Sequence, residues 1–168
     1  IDKWFKLGID GLRLDVADEL TDDFIESIRI AVKRNKPDGF ILGEVWKNPM
    51  RMNRKYLEGA NGMDSVMNYL LADALIRYVK YGETRTLEEV LYQILMEYPE
   101  TAISTLMNFT STHDISRILN ILGEDNFRVD GEWVWDLKED CNLIWQEKAK
   151  ELEGREYRKA KKLLKVYL

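Results

Sequence analysis

Apolar residues along the chain cluster in three short runs that are typical of buried strands. The runs cover residues 9–16, 39–44 and 106–109, and glycine or polar residues bound each of them. Runs of this length suit the strands of a parallel sheet better than a buried helix. The stretches between the runs are long enough to hold helices, so the pattern predicts an α/β fold in which strands alternate with helices.

Positions with helical spacing predict several helices between and after these strands. Thr21 has the side chain of an N-cap, and Asp22 and Asp23 in the next turn favour the positive end of the helix dipole. This helix is predicted to continue to about Asn35. Further helices are predicted over residues 69–81, 87–98, 116–122, 139–152 and 155–167, with a long loop over residues 47–61.

A carboxylate stands at or just after the end of each predicted strand. Asp15 closes the first strand, Glu44 closes the second, and Asp114 follows the third. Because the carboxyl ends of parallel strands meet at one edge of a sheet, these acids are expected to converge, as catalytic groups do in (β/α) barrels. Arg13 shares a strand face with Asp15 and is expected to hold that carboxylate ionised and oriented. A structural ion pair at a strand end is the alternative.

Four stretches of the chain resemble sequence signatures of the α-amylase family of glycoside hydrolases. They are GLRLD at 11–15, GEVW at 43–46 and THD at 112–114, in the order in which the family carries them, and MDSVMNY at 63–69. The last of these, together with VADE at 16–19, is similar to the neopullulanase and cyclomaltodextrinase branch of the family. The resemblance implies a (β/α)8 TIM barrel, of which the chain holds about strands four to seven with their helices.

The resemblance also implies that part of the barrel lies outside residues 1–168. The family's strand-three signature, its eighth strand and its C-terminal β-domain have no counterpart in the chain, which is therefore predicted to be a partial catalytic domain. Four parallel strands cannot close a barrel. Their exposed edges are expected to pair with another chain, which predicts a homo-oligomer formed through half-barrel edges.

By this resemblance, the three acids have distinct roles. Asp15 matches the catalytic nucleophile and Glu44 the general acid/base, while Asp114 matches the acid that grips substrate hydroxyls. His113 matches a histidine that hydrogen-bonds the sugar beside the scissile bond. Cleavage with retention needs two carboxyl groups about 5–5.5 Å apart. Glu44 has no cation next to it on its own strand, and Trp46 is an apolar neighbour of the kind that favours a protonated acid.

Five further residues are predicted to contact substrate: Arg13, Glu19, Trp46, Tyr69 and Arg117. Most of them have a structural alternative as well. Glu19 reaches an acceptor-side subsite or belongs to a charged loop, and Trp46 and Tyr69 stack on sugar rings or pack in the core. Arg117 braces Asp114 or caps a helix.

The composition of the chain is typical of a globular protein and argues against a membrane partner. The chain of 168 residues has a net charge of −5, with 45% hydrophobic and 33% charged residues. It holds no apolar run of about 18 residues, the length that a membrane span needs, and no signal peptide is recognisable. These features predict a cytoplasmic protein without a membrane partner. The single cysteine, Cys141, excludes an internal disulfide, and neither a metal nor a cofactor is predicted.

A basic cluster near the end of the chain is predicted to be the solvated face of a helix rather than a nucleic-acid patch, because no stacking aromatic residues accompany it. Its members are Arg155, Arg158, Lys159, Lys161, Lys162 and Lys165.

Three functions are consistent with the sequence. The leading one is retaining hydrolysis, or transglycosylation, of α-1,4-glucans such as maltodextrins, cyclodextrins or pullulan. The second is a catalytically inactive fragment that acts as an assembly or carbohydrate-binding module. The third is a metal-dependent (β/α) barrel hydrolase, against which Arg13 argues, since its charge would repel a cation.

Overall fold

A computed structural model describes residues 1–51, 56–57, 62–123 and 153–167 of the chain. The strands are β1 (Gly11–Leu14), β2 (Phe40–Gly43) and β3 (Ser65–Val66), and a 3-10 helix (Ala17–Glu19) follows β1. The helices are α1 (Asp2–Lys6), α2 (Asp22–Asn35), α3 (Tyr69–Tyr81), α4 (Thr84–Glu97), α5 (Glu100–Ile103), α6 (Ile118–Gly123) and α7 (Gly154–Tyr167).

The three strands form a parallel sheet in the order β1-β2-β3. Gly11 pairs with Phe40 at the start of β1, and Leu14 pairs with Gly43 at its end. An isolated parallel bridge joins Met67 to Met107, at the place where the sequence predicts the strand over residues 106–109. The parallel order and the intervening helices confirm the predicted α/β fold, although the last predicted strand is reduced to this one bridge.

Most predicted helices agree with the structure to within a few residues. The helix predicted over 69–81 matches α3, while α4 begins three residues before the predicted 87 and α6 and α7 lie within two residues of their predicted bounds. The helix predicted over 139–152, the turn-rich stretch before it and Cys141 lie outside the described residues.

Chain contacts divide the protein into two compact units. The first comprises Ile1–Tyr69 and Tyr92–Asn108, and the second comprises Leu70–Leu91 and Phe109–Leu168. The first unit contains the sheet and α2. In the second unit α6 packs against α7, with Ile121 and Leu122 fully buried.

Helix α2 forms where its sequence predicts and covers the sheet of the first unit. The Thr21 hydroxyl accepts a hydrogen bond from the Phe24 N–H, and two acids occupy the first turn. Its buried residues, Ile25, Ile28 and Val32, recur at helical spacing and form the apolar face that packs on β2. No helix among the described residues has the length and apolar character needed to cross a membrane.

Asp64 ties α2 to the amino-terminal ends of β2 and β3. Its carboxylate accepts hydrogen bonds from Arg29 Nη1 at 2.9 Å, Lys33 Nζ at 3.1 Å and the Ile41 N–H at 2.9 Å. Burial alone would raise the pKa of Asp64, but hydrogen bonds from Arg29, Ile41 and Lys33 outweigh burial and leave the pKa below its ordinary value. The ionised form therefore stabilises the fold.

We expect Asp64→Asn to lower the free energy of unfolding by about 2 kcal/mol at neutral pH, because two cations lose their charged partner. A carboxyl with a depressed pKa contributes stability above its unfolded pKa and loses it as pH falls through the folded value. Urea unfolding should therefore show the difference from wild type shrinking toward about pH 3. Asp10→Asn, which breaks an exposed pair with Lys36, should change stability little. A difference that persists unchanged in acid would contradict this role.

Gly11 marks the closest approach of β1 to β2, since a Cβ at this position would overlap the Phe40 carbonyl oxygen. We expect Gly11→Ala to cost about 2 kcal/mol or more in unfolding free energy, because a backbone atom cannot move aside as a side chain can. Gly8→Ala is the control. Gly8 has φ +90° but no atom near its missing Cβ, so that change should cost about 1 kcal/mol. Equal losses in the two variants would argue against the close approach.

Candidate active site

Asp15 and Glu44 leave the sheet side by side. Each follows the last residue of its strand, and those last residues, Leu14 and Gly43, are paired in register. The Glu44 N–H donates to the Leu14 carbonyl at 2.9 Å, and the Glu44 carbonyl accepts from the Ala17 N–H at 2.9 Å. The pairing of β1 with β2 thus extends past the strand ends and fixes the two acids at one edge of the sheet.

Arg13 binds both acids. Its Nη1 lies 2.5 Å from Asp15 Oδ1, and its Nη2 lies 3.0 Å from Glu44 Oε2. The first contact agrees with the spacing of the two residues, whereas the second comes from the neighbouring strand and was not predicted. Burial alone would lower the pKa of Arg13, but the hydrogen bond to Asp15 and the charges of Glu44 and Asp15 outweigh it and raise the pKa. One guanidinium therefore neutralises part of the charge of two carboxylates.

The two acids differ sharply in exposure. The Asp15 side chain is 72% exposed, whereas that of Glu44 is 6% exposed. Glu44 Oε2 also accepts the Val16 N–H at 2.8 Å, and Oε1 accepts Trp46 Nε1 at 2.9 Å and the Tyr69 hydroxyl at 3.4 Å. The expectation of an apolar Trp46 beside Glu44 is therefore wrong in one respect. The indole turns its N–H, not only its carbon face, toward the carboxylate.

Val16 takes up an unusual backbone conformation directly after Asp15. Its φ of 44° and ψ of 48° lie in the left-handed region, and no other non-glycine residue in the described ranges has a positive φ. The β-branched side chain makes this conformation costly, by about 1–3 kcal/mol, so the surrounding bonds must hold it in place. The conformation directs the Val16 N–H onto Glu44 and leads into the 3-10 helix.

Trp46 and Tyr69 stack on each other beside Glu44. Their ring centroids lie 4.7 Å apart with an interplanar angle of 21°. Tyr69 is 1% exposed, as a core residue is, whereas Trp46 is half-buried. Of the two aromatic residues predicted to stack on sugars, Trp46 alone keeps part of its surface exposed in this structure.

A hydrogen-bonded clamp holds the loop that follows Glu44, and no pattern in the sequence predicts it. Asn48 Nδ2 donates to Glu97 Oε2 at 3.0 Å, and Arg51 Nε contacts both Glu97 oxygens at 3.1 Å. The Asn48 Oδ1 accepts the Met50 N–H at 2.9 Å. These contacts fix the chain just beyond Trp46 to the carboxyl end of α4.

Asp114 and His113 lie together in the second unit. His113 Nε2 is 3.2 Å from Asp114 Oδ1, and the Asp114 N–H donates to the Thr112 hydroxyl at 3.1 Å. Asp114 Oδ2 is buried and has no hydrogen-bond partner among the described residues. His113 is 76% exposed. Arg117 is exposed just before α6 and forms no ion pair with Asp114 within the described ranges.

The predicted site residues thus fall into groups. The first unit brings together Arg13, Asp15, Glu44, Trp46 and Tyr69, and the second holds His113 with Asp114. Glu19 is exposed at the end of the 3-10 helix. In the described part of the chain, no three histidine, cysteine or acidic side chains are grouped in a way that could hold a metal ion.

Known proteins with similar sequences include a cyclomaltodextrinase and a neopullulanase. The chain is 40% identical to a cyclomaltodextrinase of Geobacillus thermopakistaniensis, over 73% of this chain and 20% of that protein. It is 38% identical to neopullulanase 2 of Thermoactinomyces vulgaris, over 75% of this chain and 21% of that protein. The chain spans about a fifth of the length of these curated relatives.

Solved structures of glycoside-cleaving enzymes also resemble the chain. A cyclic α-maltosyl-(1→6)-maltose hydrolase from Arthrobacter globiformis superposes with a TM-score of 0.66 and 30% identity, over 73% of this chain and 27% of that one. The type III pullulan hydrolase from Thermococcus kodakarensis has a TM-score of 0.61 and 34% identity, over 72% of this chain and 21% of that one. With the parallel sheet, these neighbours confirm the predicted fold class, a partial (β/α) barrel.

The family model described as "Alpha amylase, catalytic domain" matches residues 1–137, a stretch that includes each of the predicted acids. The family inferred from the short motifs is therefore confirmed over most of the chain. The chain belongs to the α-amylase catalytic-domain family of glycosidases.

Proposed function

We propose that this chain supplies the nucleophile and the acid/base of a retaining glycoside hydrolase that acts on α-1,4-glucans, such as maltodextrins, cyclodextrins and pullulan. The observation that carries the proposal is Arg13, which binds Asp15 and Glu44 together at the carboxyl ends of adjacent parallel strands. The relatives named for cyclomaltodextrin and pullulan hydrolysis support the substrate class.

The two acids have the environments that these roles require. Asp15 is an exposed carboxylate held by a guanidinium, so it can attack the anomeric carbon and form a covalent glycosyl ester. Glu44 is buried and hydrogen-bonded, so it can deliver a proton to the leaving oxygen without exchange with bulk solvent. In the second step Glu44 takes a proton from water, which attacks the same carbon and releases Asp15.

The remaining predicted site residues, apart from Tyr69, are proposed to bind the sugar. Asp114 Oδ2 is a buried acceptor without a partner in the described structure, which suits a substrate hydroxyl. The neighbouring His113 imidazole can donate to a second hydroxyl. Trp46 offers its exposed ring surface, and the side chains of Glu19 and Arg117 are exposed. Tyr69 acts through Glu44 and Trp46 rather than on a sugar face.

Location and partners are part of the proposal. A relative named intracellular maltogenic amylase, from Bacillus subtilis, is 32% identical over 69% of this chain and supports a cytoplasmic protein. The basic residues of α7 are largely exposed on one helix, which agrees with a solvated face rather than a nucleic-acid site. Pairing between copies through the edge of β1 is the proposed route to a homo-oligomer.

We expect Asp15→Asn to lower hydrolysis of a chromogenic α-maltooligosaccharide by about 10³-fold or more, because an amide cannot form the glycosyl ester. Binding of unlabelled maltooligosaccharide, measured by calorimetry, should change little. Asp10→Asn, an exposed carboxylate at the other end of β1, is the matched control and should keep full activity. Equal activity of the Asp15→Asn variant and wild type would refute the nucleophile, and binding without turnover in wild type would indicate a carbohydrate-binding module.

We expect Arg13→Lys to lower kcat by about ten- to a hundred-fold, since a single ammonium cannot bind two carboxylates as a guanidinium fork does. Arg85→Lys, in an exposed pair with Glu89, is the control and should leave kcat unchanged. Steady-state kinetics on the same substrate separate kcat from KM. If Arg13→Lys raised KM alone, the guanidinium would serve substrate binding and not the two acids.

A further inference from the structure

Among the described residues, the four groups that hydrogen-bond to the Glu44 carboxyl group are not chemically equivalent. The Arg13 guanidinium, the Val16 amide and the Trp46 indole can only donate hydrogen bonds. The Tyr69 hydroxyl is the one partner that can either donate or accept. All four suit an ionised Glu44, but only Tyr69 also suits a carboxyl group that carries a proton.

The arrangement decides which oxygen can carry that proton. Oε2 faces Arg13 at 3.0 Å and the Val16 N–H at 2.8 Å, so a hydrogen on this oxygen would point at groups that present hydrogens of their own. Oε1 faces Trp46 and Tyr69, and the 3.4 Å contact with Tyr69 is the longest of the four. If the hydroxyl hydrogen of Tyr69 rotates away from Glu44, the hydroxyl oxygen can accept a hydrogen bond from a proton on Oε1.

We propose that Tyr69 is a positioning residue that lets Glu44 alternate between its ionised and its protonated form. Its hydroxyl donates to the carboxylate and accepts from the acid, with the exchanged proton held on Oε1. This inference rests on the proposed role of Glu44 as the general acid/base. When Oε1 gives its proton to the leaving oxygen, the hydroxyl turns back to donate. When Oε1 takes a proton from water, the hydroxyl accepts again, and no covalent bond of Tyr69 changes.

The position of Tyr69 suits this role. The residue is 1% exposed, begins α3, and stacks on Trp46, so its phenol cannot leave Glu44 without breaking that packing.

Any test must distinguish the titration of Glu44 from that of the other titratable groups near it. They are Arg13, Asp15 through Arg13, and Asp18 in the 3-10 helix. Burial, and then the charges of Glu19 and Glu44, raise the pKa of Asp18. A probe confined to glutamate carboxyl groups avoids both aspartates.

The test is a pH titration of the protein labelled with ¹³C in its glutamate side-chain carboxyl groups, followed by NMR. The Glu44 signal is assigned as the one missing from Glu44→Gln. We expect Tyr69→Phe to lower the pH midpoint of this signal by about half a unit or more, because the acid loses its one acceptor among the described residues while the carboxylate keeps three donors. Trp46→Phe removes a group that can only donate, so it should raise the midpoint.

Tyr98→Phe is the matched control. Tyr98 is buried in the same unit, 6% exposed, and is not among the groups bonded to Glu44. Loss of its hydroxyl should leave the Glu44 midpoint unchanged. An unchanged or raised midpoint in Tyr69→Phe would overturn the proposal, because the hydroxyl would then act as a donor alone.

A measurement on wild type covers the case in which Tyr69→Phe does not fold. Infrared difference spectra against Glu44→Gln in acid, with ring-labelled tyrosine, give the phenol C–O stretch of Tyr69 beside protonated Glu44. A stretch at the position of a phenol that accepts a hydrogen bond is expected, and one at the position of a phenol that only donates would overturn the proposal.

Kinetics then separate this inference from the proposed function. In an active protein, the alkaline limb of kcat/KM, which reports the free enzyme, should move with the NMR midpoint in each variant. Absence of glucan hydrolysis by wild type would refute the proposed function, while the titration would still decide the role of Tyr69.

Discussion

Two carboxylates that leave neighbouring strands at paired positions repel each other, and a site built on them needs a positive charge that touches both. Arg13 supplies it from the strand that carries Asp15, with one guanidinium nitrogen on each acid. The delocalised, planar guanidinium suits this task because its fixed fork holds two carboxylates at defined angles. The register of β1 with β2 has to place Glu44 within reach of that fork, so the site depends on correct strand pairing.

The pairing is secured from the opposite end of the sheet. Asp64 joins α2 to the amino-terminal ends of β2 and β3 through Arg29, Lys33 and the Ile41 amide. In (β/α) barrels this end generally serves stability, whereas the carboxyl end carries the chemistry. The first unit follows that division, with an ionised aspartate as the anchor at one end and the Arg13 fork at the other.

At the carboxyl end of the sheet, the backbone after β1 is strained. Val16 adopts a left-handed conformation that its branched side chain disfavours, and its amide is thereby directed onto Glu44. Around the same carboxylate the indole of Trp46 and the phenol of Tyr69 are stacked and buried to different extents. The strain is local, and Glu44 holds the turn in place, because its side chain accepts the Val16 N–H and its backbone carbonyl accepts the Ala17 N–H.

Local sequence patterns were enough to predict most of the helices and strands and the directions of side chains within them. Thr21 with its two following acids sets the start of α2, and the alternation of a strand places Arg13 and Asp15 on one face. The motifs, in their order, were enough to indicate the family and the acids that it places at strand ends. These are local properties, fixed by neighbours within a few residues.

Contacts between residues far apart in the chain depend on the tertiary structure. The contact of Arg13 with Glu44 depends on the register between two strands, and the clamp of Asn48 and Arg51 on Glu97 joins a loop to a distant helix. The indole N–H of Trp46 reaches Glu44 because the chain turns after β2, a turn that periodicity does not encode. Local patterns fix where a side chain points along its own element, but its partner is chosen by long-range packing, which spacing in the sequence cannot reveal.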